Sequence, residues 1–268
     1  MTDRILASSR PRRRIAWFPA AAILLAGLGA AGGWWWQSRG DAASDGTEAR
    51  LAAAGIDPNE RAAIEGLVRD YILEHPEILP EAMERLQSRG AARQIAANRD
   101  RIETPFAGAV LGNPRGSVTL VQFTDYACTY CRQSVADLKA LIAAQPDLRV
   151  VIRELPILSP ESERAARIAL AAARQGRYPA FHDAMFAAGR PAALTIAAAS
   201  DKAGVDTGAA AAIADSPAIS RELATNLALS RELGITGTPA WVVGDRLLIG
   251  AVGRAALAEA IAEARAKA

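Results

Sequence analysis

The sequence predicts an α/β domain in the order βαβ, helical block, ββα, set behind an apolar N-terminal span and a short helical segment. Three observations carry that reading. First, the β-branched run VTLVQFT (118–124) leads into Cys128-Thr129-Tyr130-Cys131 and a helical stretch, and LRVVIRE (148–154) supplies the next strand. Strand, helix, strand implies a parallel pair joined by a crossover helix. Second, AWVV (240–243) and RLLI (246–249) are separated by Gly244-Asp245, a hairpin signal, and a last helix follows. Third, the stretch between these two regions is punctuated by Gly and Pro and shows helical periodicity rather than strand alternation.

At the N-terminus, Arg4, Arg10, Arg12, Arg13 and Arg14 face a single acidic residue, Asp3. Residues 15–36 then carry no charge and, as a helix, would be about 33 Å long, enough to cross a hydrocarbon core. Basic residues in front predict that residues 1–14 stay cytoplasmic, with Trp34, Trp35 and Trp36 as an interfacial belt at the far end. A cleaved secretory signal is the competing reading, supported by the small residues at 27–33. The apolar run is longer than a usual signal core and ends in bulky tryptophans, which favours an uncleaved anchor. Either way the remainder leaves the cytoplasm. Residues 37–56 are polar and rich in small residues and read as a flexible linker.

Asp57-Pro58-Asn59-Glu60 is a helix start, with Asp57 as N-cap and Glu60 in the capping-box position. Ile64, Leu67, Val68, Tyr71 and Ile72 follow on one face until Pro76, and Leu79, Met83 and Leu86 begin a second run that continues weakly to Ile102. Helices this short are marginal alone, because nucleation is costly and the apolar stripe needs a partner surface. Docking on the chain's own main domain and self-association both satisfy that need. This helical segment spans residues 57–102.

The main domain spans residues 104–268. Ser159-Pro160-Glu161 starts its helical block, Gly176, Gly204 and Gly234 read as helix ends, and Pro179 and Pro217 as starts. The block covers about 159–233 and shows Ile219, Leu223 and Leu227 on one helix face. A thioredoxin-like sheet with a helical insertion satisfies the whole order.

The only two cysteines are separated by two residues, where a strand ends and a helix begins. A thiol there meets unpaired backbone N–H groups and the positive end of the helix dipole, both of which favour the nucleophilic thiolate. A dipole effect of at most about 2 kcal/mol brings a thiol pKa from about 8.5 to near neutrality. Cys128, at the helix start, is assigned the attacking role. Cys131, one turn further in, is placed to resolve a mixed disulfide. Thr129 and Tyr130 between them add no formal positive charge. Three other readings compete. A structural disulfide would close a very short loop and gain little. Zinc needs about four ligands, and His75 and His182 are the only histidines. Cu(I), however, accepts two thiolates. No dissociable cofactor and no resident metal are called for under the redox reading: the Cys128–Cys131 pair itself cycles between dithiol and disulfide. The net charge of +2 gives no global field toward nucleic acid.

FTDYACTYC (123–131), together with LGITGTPAWVVGD (233–245), resembles the DsbA-type thiol–disulfide oxidoreductases of the thioredoxin superfamily. The likeness covers about 110–268, with RELPILSPES (153–162) and FHDAMF (181–186) fitting too. It implies that Pro239 is cis and that Thr238 and Pro239 face the cysteines, lining a substrate groove with Thr129 and Tyr130. An extended substrate would pair there by strand addition. YILEHPEILPEAMERLQ (71–87) is similar to the N-terminal segment of the ScsC and DsbG-related branch, where such segments oligomerise and accompany isomerase or reductase activity. The sequence departs from strong oxidases in having Thr-Tyr between the cysteines instead of Pro-His, which implies a less oxidising pair. The resemblance thus implies a single-pass protein of a bacterial inner membrane, held through residues 15–36, with its catalytic domain in the periplasm; after signal cleavage it would be soluble there. It would be a homo-oligomeric isomerase or reductase of exported cysteine-containing proteins, served by a membrane redox partner. A DsbA-like oxidase and a copper-binding or copper-tolerance protein are the alternatives. His182 reads as a packed histidine, Trp241 as core, and Asp125 receives no proton-transfer role.

Overall fold

The computed structural model describes residues 50–267 apart from Ala52. The expected basic terminus (1–14), the expected span (15–36) and the first part of the expected linker (37–49) lie outside the described residues. Among the described residues no helix is long and apolar enough to cross a membrane. The chain divides into two compact units, the first ending at Leu79 and the second beginning at Pro80.

Helix α1 (Pro58–Glu74) starts as its sequence dictates. Asp57 caps it by accepting from the Asn59 and Glu60 N–H groups, and the Glu60 side chain reaches back to the Asp57 N–H at 3.1 Å. Its apolar stripe is exposed: Leu67 keeps 70% of its surface and Ile64, Val68 and Tyr71 about half. Helix α2 (Ile78–Glu103) is continuous although its apolar periodicity in the sequence is weak. Its early apolar residues, Leu79, Met83 and Leu86, are exposed, whereas Ile95 and Ile102 are fully buried.

A five-stranded sheet orders its strands β1-β3-β2-β4-β5. Strands β2 (Val118–Thr124) and β3 (Leu148–Glu154) are parallel and joined by helix α3 (Thr129–Ala144), as expected of the βαβ unit. Strands β4 (Ala240–Val243) and β5 (Arg246–Ile249) form the expected hairpin, with β4 antiparallel to β2. The short edge strand β1 (Val110–Gly112), antiparallel to β3, was not expected. Three residues are too few to show a period. Gly112 ends it at φ 71°, where a Cβ would stand 2.6 Å from the Leu148 carbonyl oxygen.

Strand alternation sorts the core into two layers. Leu120 and Val118 of β2 and Leu148, Val150 and Ile152 of β3 face the larger cluster, built with α3 and helices α4 (Pro160–Arg174), α5 (Tyr178–Ala188), α6 (Ala193–Ala203), α7 (Thr207–Ala214) and α9 (Gly253–Lys267). Val121, Phe123 and Val151 face the other cluster, with Ile95 and Ile102 of α2 and Leu229 of α8 (Pro217–Glu232). Gly204 closes α6 in the left-handed region and Ser159 caps α4, both as the sequence signals them. Buried Arg153 ties this second layer together. Its guanidinium donates to the carbonyls of Arg101 and Ile102 in the last turn of α2 and of Thr104 just after it, and pairs with Glu222 of α8 at 2.9 Å. The unpaired carbonyls of a helix end and a carboxylate thereby satisfy one buried cation.

Candidate active site

Cys128 is the N-cap of α3, in an extended conformation, and its Sγ accepts from the Cys131 N–H at 3.3 Å. A cap side chain accepting one of the orphan amides is the usual way to start a helix. Here sulfur fills that role. The segment before it is held by Asp125. One side-chain oxygen accepts from the Ala127 N–H at 2.7 Å, and the other accepts from Ile157 and Leu158 N–H groups at 2.9 and 3.0 Å. One buried side chain therefore clips the cysteine turn to the loop after β3.

The two sequence motifs meet. Thr238-Pro239 is a cis peptide bond, and the Cys128 thiol donates to the Thr238 carbonyl at 3.1 Å. Pro239 leads into β4, and its carbonyl accepts from the Gly250 N–H. Trp241 is fully buried, with its indole N–H on the Gly250 carbonyl. Cys128 is 5% exposed and Cys131 fully buried, both as free thiols. Of the residues between them, Tyr130 stands out into solvent at 62% exposure, and Thr129 is exposed too. Ile157 and Leu158, on the loop clipped by Asp125, are also exposed apolar residues.

The environment separates the two thiols. Cys131, as a hydrogen-bond partner, lowers the Cys128 pKa to about 6 against the cost of burial, with the Thr238 hydroxyl and the N–H groups of Cys131 and Tyr130 adding to the effect. Burial pushes the Cys131 thiol far above the usual range, and its hydrogen bond to Cys128 adds to this. Thr238 Oγ1 is buried and makes no hydrogen bond of normal geometry, so its hydroxyl is free to turn toward a thiolate. At neutral pH the pair holds one nucleophilic sulfur and one protonated sulfur.

Sequence reasoning missed a buried polar group at the end of β3. Glu154, at the end of β3, accepts from Tyr126 at 3.0 Å and Tyr178 at 2.6 Å through Oε1, while Oε2 has no partner. Burial raises its pKa to about 8. The signal was a carboxyl at the end of a strand that lies in the core, but the two tyrosines that complete the group come from other segments. His182 packs edge-on to Tyr126 and Phe186, is 1% exposed, and is held below its usual pKa by burial. His75 caps α1 beside Tyr71. Among the described residues no group of three or more His, Cys, Asp or Glu side chains forms a metal site.

A five-stranded sheet with a cysteine pair at the start of the crossover helix, facing a cis-proline loop, defines a thioredoxin-like α/β protein with a helical insertion. The DSBA-like thioredoxin domain matches residues 119–262, and the chain belongs to that family. Residues 60–93 match the copper resistance protein ScsC N-terminal domain. A thioredoxin-like oxidoreductase from Silicibacter pomeroyi DSS-3 is 40% identical, covering 64% of this chain and 99% of its own at a TM-score of 0.61. Proteus mirabilis ScsC in a transitional conformation is 30% identical, covering 80% of this chain and 99% of its own at a TM-score of 0.60. A periplasmic thioredoxin-like protein from Salmonella enterica serovar Typhimurium is 31% identical, covering 63% and 95% at a TM-score of 0.55. The chain spans only a small part of the curated relatives it matches. One of these, a Na(+)/H(+) antiporter NhaA from Herminiimonas arsenicoxydans, is 33% identical over 148 residues, 53% of this chain and 23% of that protein.

Proposed function

We propose that the chain is a thiol–disulfide oxidoreductase of exported proteins, with Cys128 as the attacking and Cys131 as the resolving thiol. One observation carries this reading: a cysteine held as a helix cap, its pKa lowered to about 6, lies 3.1 Å from the carbonyl before a cis proline. The lowered pKa supplies the nucleophile. The buried partner one turn away supplies the intramolecular second attack. Thr238 and Pro239, with Thr129 and Tyr130 at the rim, offer a backbone edge to an extended substrate. In the full chain, Cys128→Ala is expected to abolish catalysed reduction of insulin; undiminished turnover would exclude the mechanism.

The net direction we favour is isomerase or reductase. Thr-Tyr between the cysteines brings no formal charge to the thiolate, and the ScsC N-terminal match accompanies an exposed apolar stripe on α1, which suits self-association. Self-association, the anchor at 15–36, the linker at 37–56 and a periplasmic site of action belong to this proposal. The periplasmic Salmonella relative supports the location. An isomerase must be kept reduced, which calls for a membrane electron donor. An oxidase would need an oxidising partner instead.

A copper role is the second reading, because the ScsC N-terminal family is described as copper resistance. Two thiolates suffice for Cu(I). Tight Cu(I) binding without thiol-exchange activity would favour it.

A further inference from the structure

Thr124 closes strand β2, four residues before Cys128. The strand needs a β-branched side chain there, and valine would fill that need. The hydroxyl is surplus to packing. Thr124 is fully buried, and its Oγ1 has no hydrogen-bond partner, which costs folding free energy without return. Its position is set by the sheet. Thr124 is the register partner of Glu154 in β3, and one step beyond the Phe123–Ala240 pair it stands level with Pro239. Alternation turns its side chain to the same face as Leu120, the face whose cluster contains Cys128 and Cys131. A second unpartnered hydroxyl, that of Thr238, belongs to the residue whose carbonyl meets Cys128, and it acts on both sulfurs.

We propose that the Thr124 hydroxyl stabilises Cys131 as a thiolate while Cys128 is tied to a substrate. This rests on the thiol-exchange reading and names a further catalytic residue for it. In the reducing direction Cys131 loses its proton and attacks Cys128 Sγ. The Cys128–Cys131 bond forms, and the Cys128–substrate bond breaks. The electron pair leaves on the substrate sulfur, which takes up a proton; in this step Cys131 is oxidised and that substrate sulfur is reduced, and over both exchanges the cysteine pair passes two electrons to the substrate disulfide. In the oxidising direction a substrate thiolate attacks Cys128 and Cys131 leaves as the same thiolate. In both directions negative charge falls on a fully buried sulfur. Such a charge needs donors already in place, as developing charge does in other active sites. Burial is what opposes the Cys131 thiolate most, followed by its bond to Cys128; the groups acting against these are the Asp125 N–H and the Thr238 and Thr124 hydroxyls. Thr124 is not among the main groups that act on Cys128.

That asymmetry sets the test. The reduced full chain is mixed with oxidised glutathione, acid-quenched at intervals, and the Cys128–glutathione adduct followed by mass. Thr124→Val is expected to accumulate the adduct because resolution slows about ten- to a hundredfold, the weight of one hydrogen bond to a charged group. Alkylation of Cys128 by iodoacetamide should keep its wild-type rate and pH midpoint. Thr124→Ser, which keeps the hydroxyl, should restore resolution, and Thr124→Ala should behave as Thr124→Val does. Resolution at the wild-type rate in Thr124→Val or Thr124→Ala would overturn the proposal. So would equal slowing of alkylation and resolution, which marks a merely structural residue. A wild-type protein that forms no adduct, and no Cys128–Cys131 disulfide, would instead remove the thiol-exchange reading and this inference with it.

Discussion

Cys128 Sγ lies 3.1 Å from the carbonyl oxygen of Thr238, a residue 110 positions further along the chain. The contact joins a nucleophile made by a helix start to a backbone edge made by a cis proline. Neither half is a site alone. A thiolate without the edge is an unspecific nucleophile, and the edge without the thiolate can hold a peptide but not react with it.

The ionisation of Cys128 gives the first test. Its thiolate should form with a midpoint near pH 6, read by ultraviolet thiolate absorbance or by iodoacetamide alkylation, and the signal should vanish in Cys128→Ser. The sign for stability follows. A group whose pKa falls on folding stabilises the folded reduced form above the unfolded value of about 8.5 and loses that contribution as pH drops through about 6. Reduced protein should therefore lose stability relative to oxidised protein across that window.

Glu154 runs the other way. Its pKa is raised to about 8 by burial, so its contribution is full below the unfolded value of about 4.3 and declines as pH rises through 8. Glu154→Gln mimics the neutral form. It should flatten the fall in the denaturation midpoint between those pH values; an unchanged pH profile would mean that another group is responsible.

Asp125 is expected to be a positioning residue. Asp125→Ala strands three backbone N–H groups, at Ala127, Ile157 and Leu158. A loss of about 3 kcal/mol in urea unfolding is expected, since each stranded buried donor carries a desolvation cost. Alkylation of Cys128 should slow as its turn loosens.

Breaking the Arg153–Glu222 pair should be costly for a different reason. Glu222→Ala leaves a guanidinium in a second layer where it is 3% exposed. About 3 kcal/mol of stability should be lost, as when one partner of a buried pair is removed, with the Cys128 pKa unmoved. Thermal unfolding and the thiolate titration together read this.

Self-association should depend on the exposed face of α1. Leu67→Asp with Tyr71→Asp in the full chain is expected to reduce the mass seen by light scattering, with α2 left intact. An unchanged mass would place the interface elsewhere. Cutting the chain at Arg101 would be a poor test, because Ile95 and Ile102 belong to the core of the second unit and Arg153 holds the carbonyls just beyond.

What the sequence revealed followed from local rules. The cysteine spacing, the Asp57 capping box, the Gly244-Asp245 hairpin and the proline before β4 each depend on a few adjacent residues, and each is found in the structure. What it concealed depends on residues brought together from afar. Glu154 with Tyr126 and Tyr178 cannot be assembled from any one window, and neither can Arg153 with α2 and α8. Thr124 was hidden for another reason: a threonine at the end of a strand looks like ordinary β-propensity, and only its unpartnered hydroxyl in the folded core marks it.

The direction of electron flow is read by the reduction potential of the pair. A value near about −270 mV marks a reductase and one near about −120 mV an oxidase.

The central claim is tested most directly by trapping. The reduced full chain carrying Cys131→Ala is mixed with a disulfide-containing protein, alkylated, and resolved by mass without reductant. The expected result is a stable adduct joining Cys128 to a substrate cysteine, absent when Cys128 is also replaced. No adduct, or full insulin turnover by Cys131→Ala, would contradict the assignment of Cys128 as attacking and Cys131 as resolving thiol.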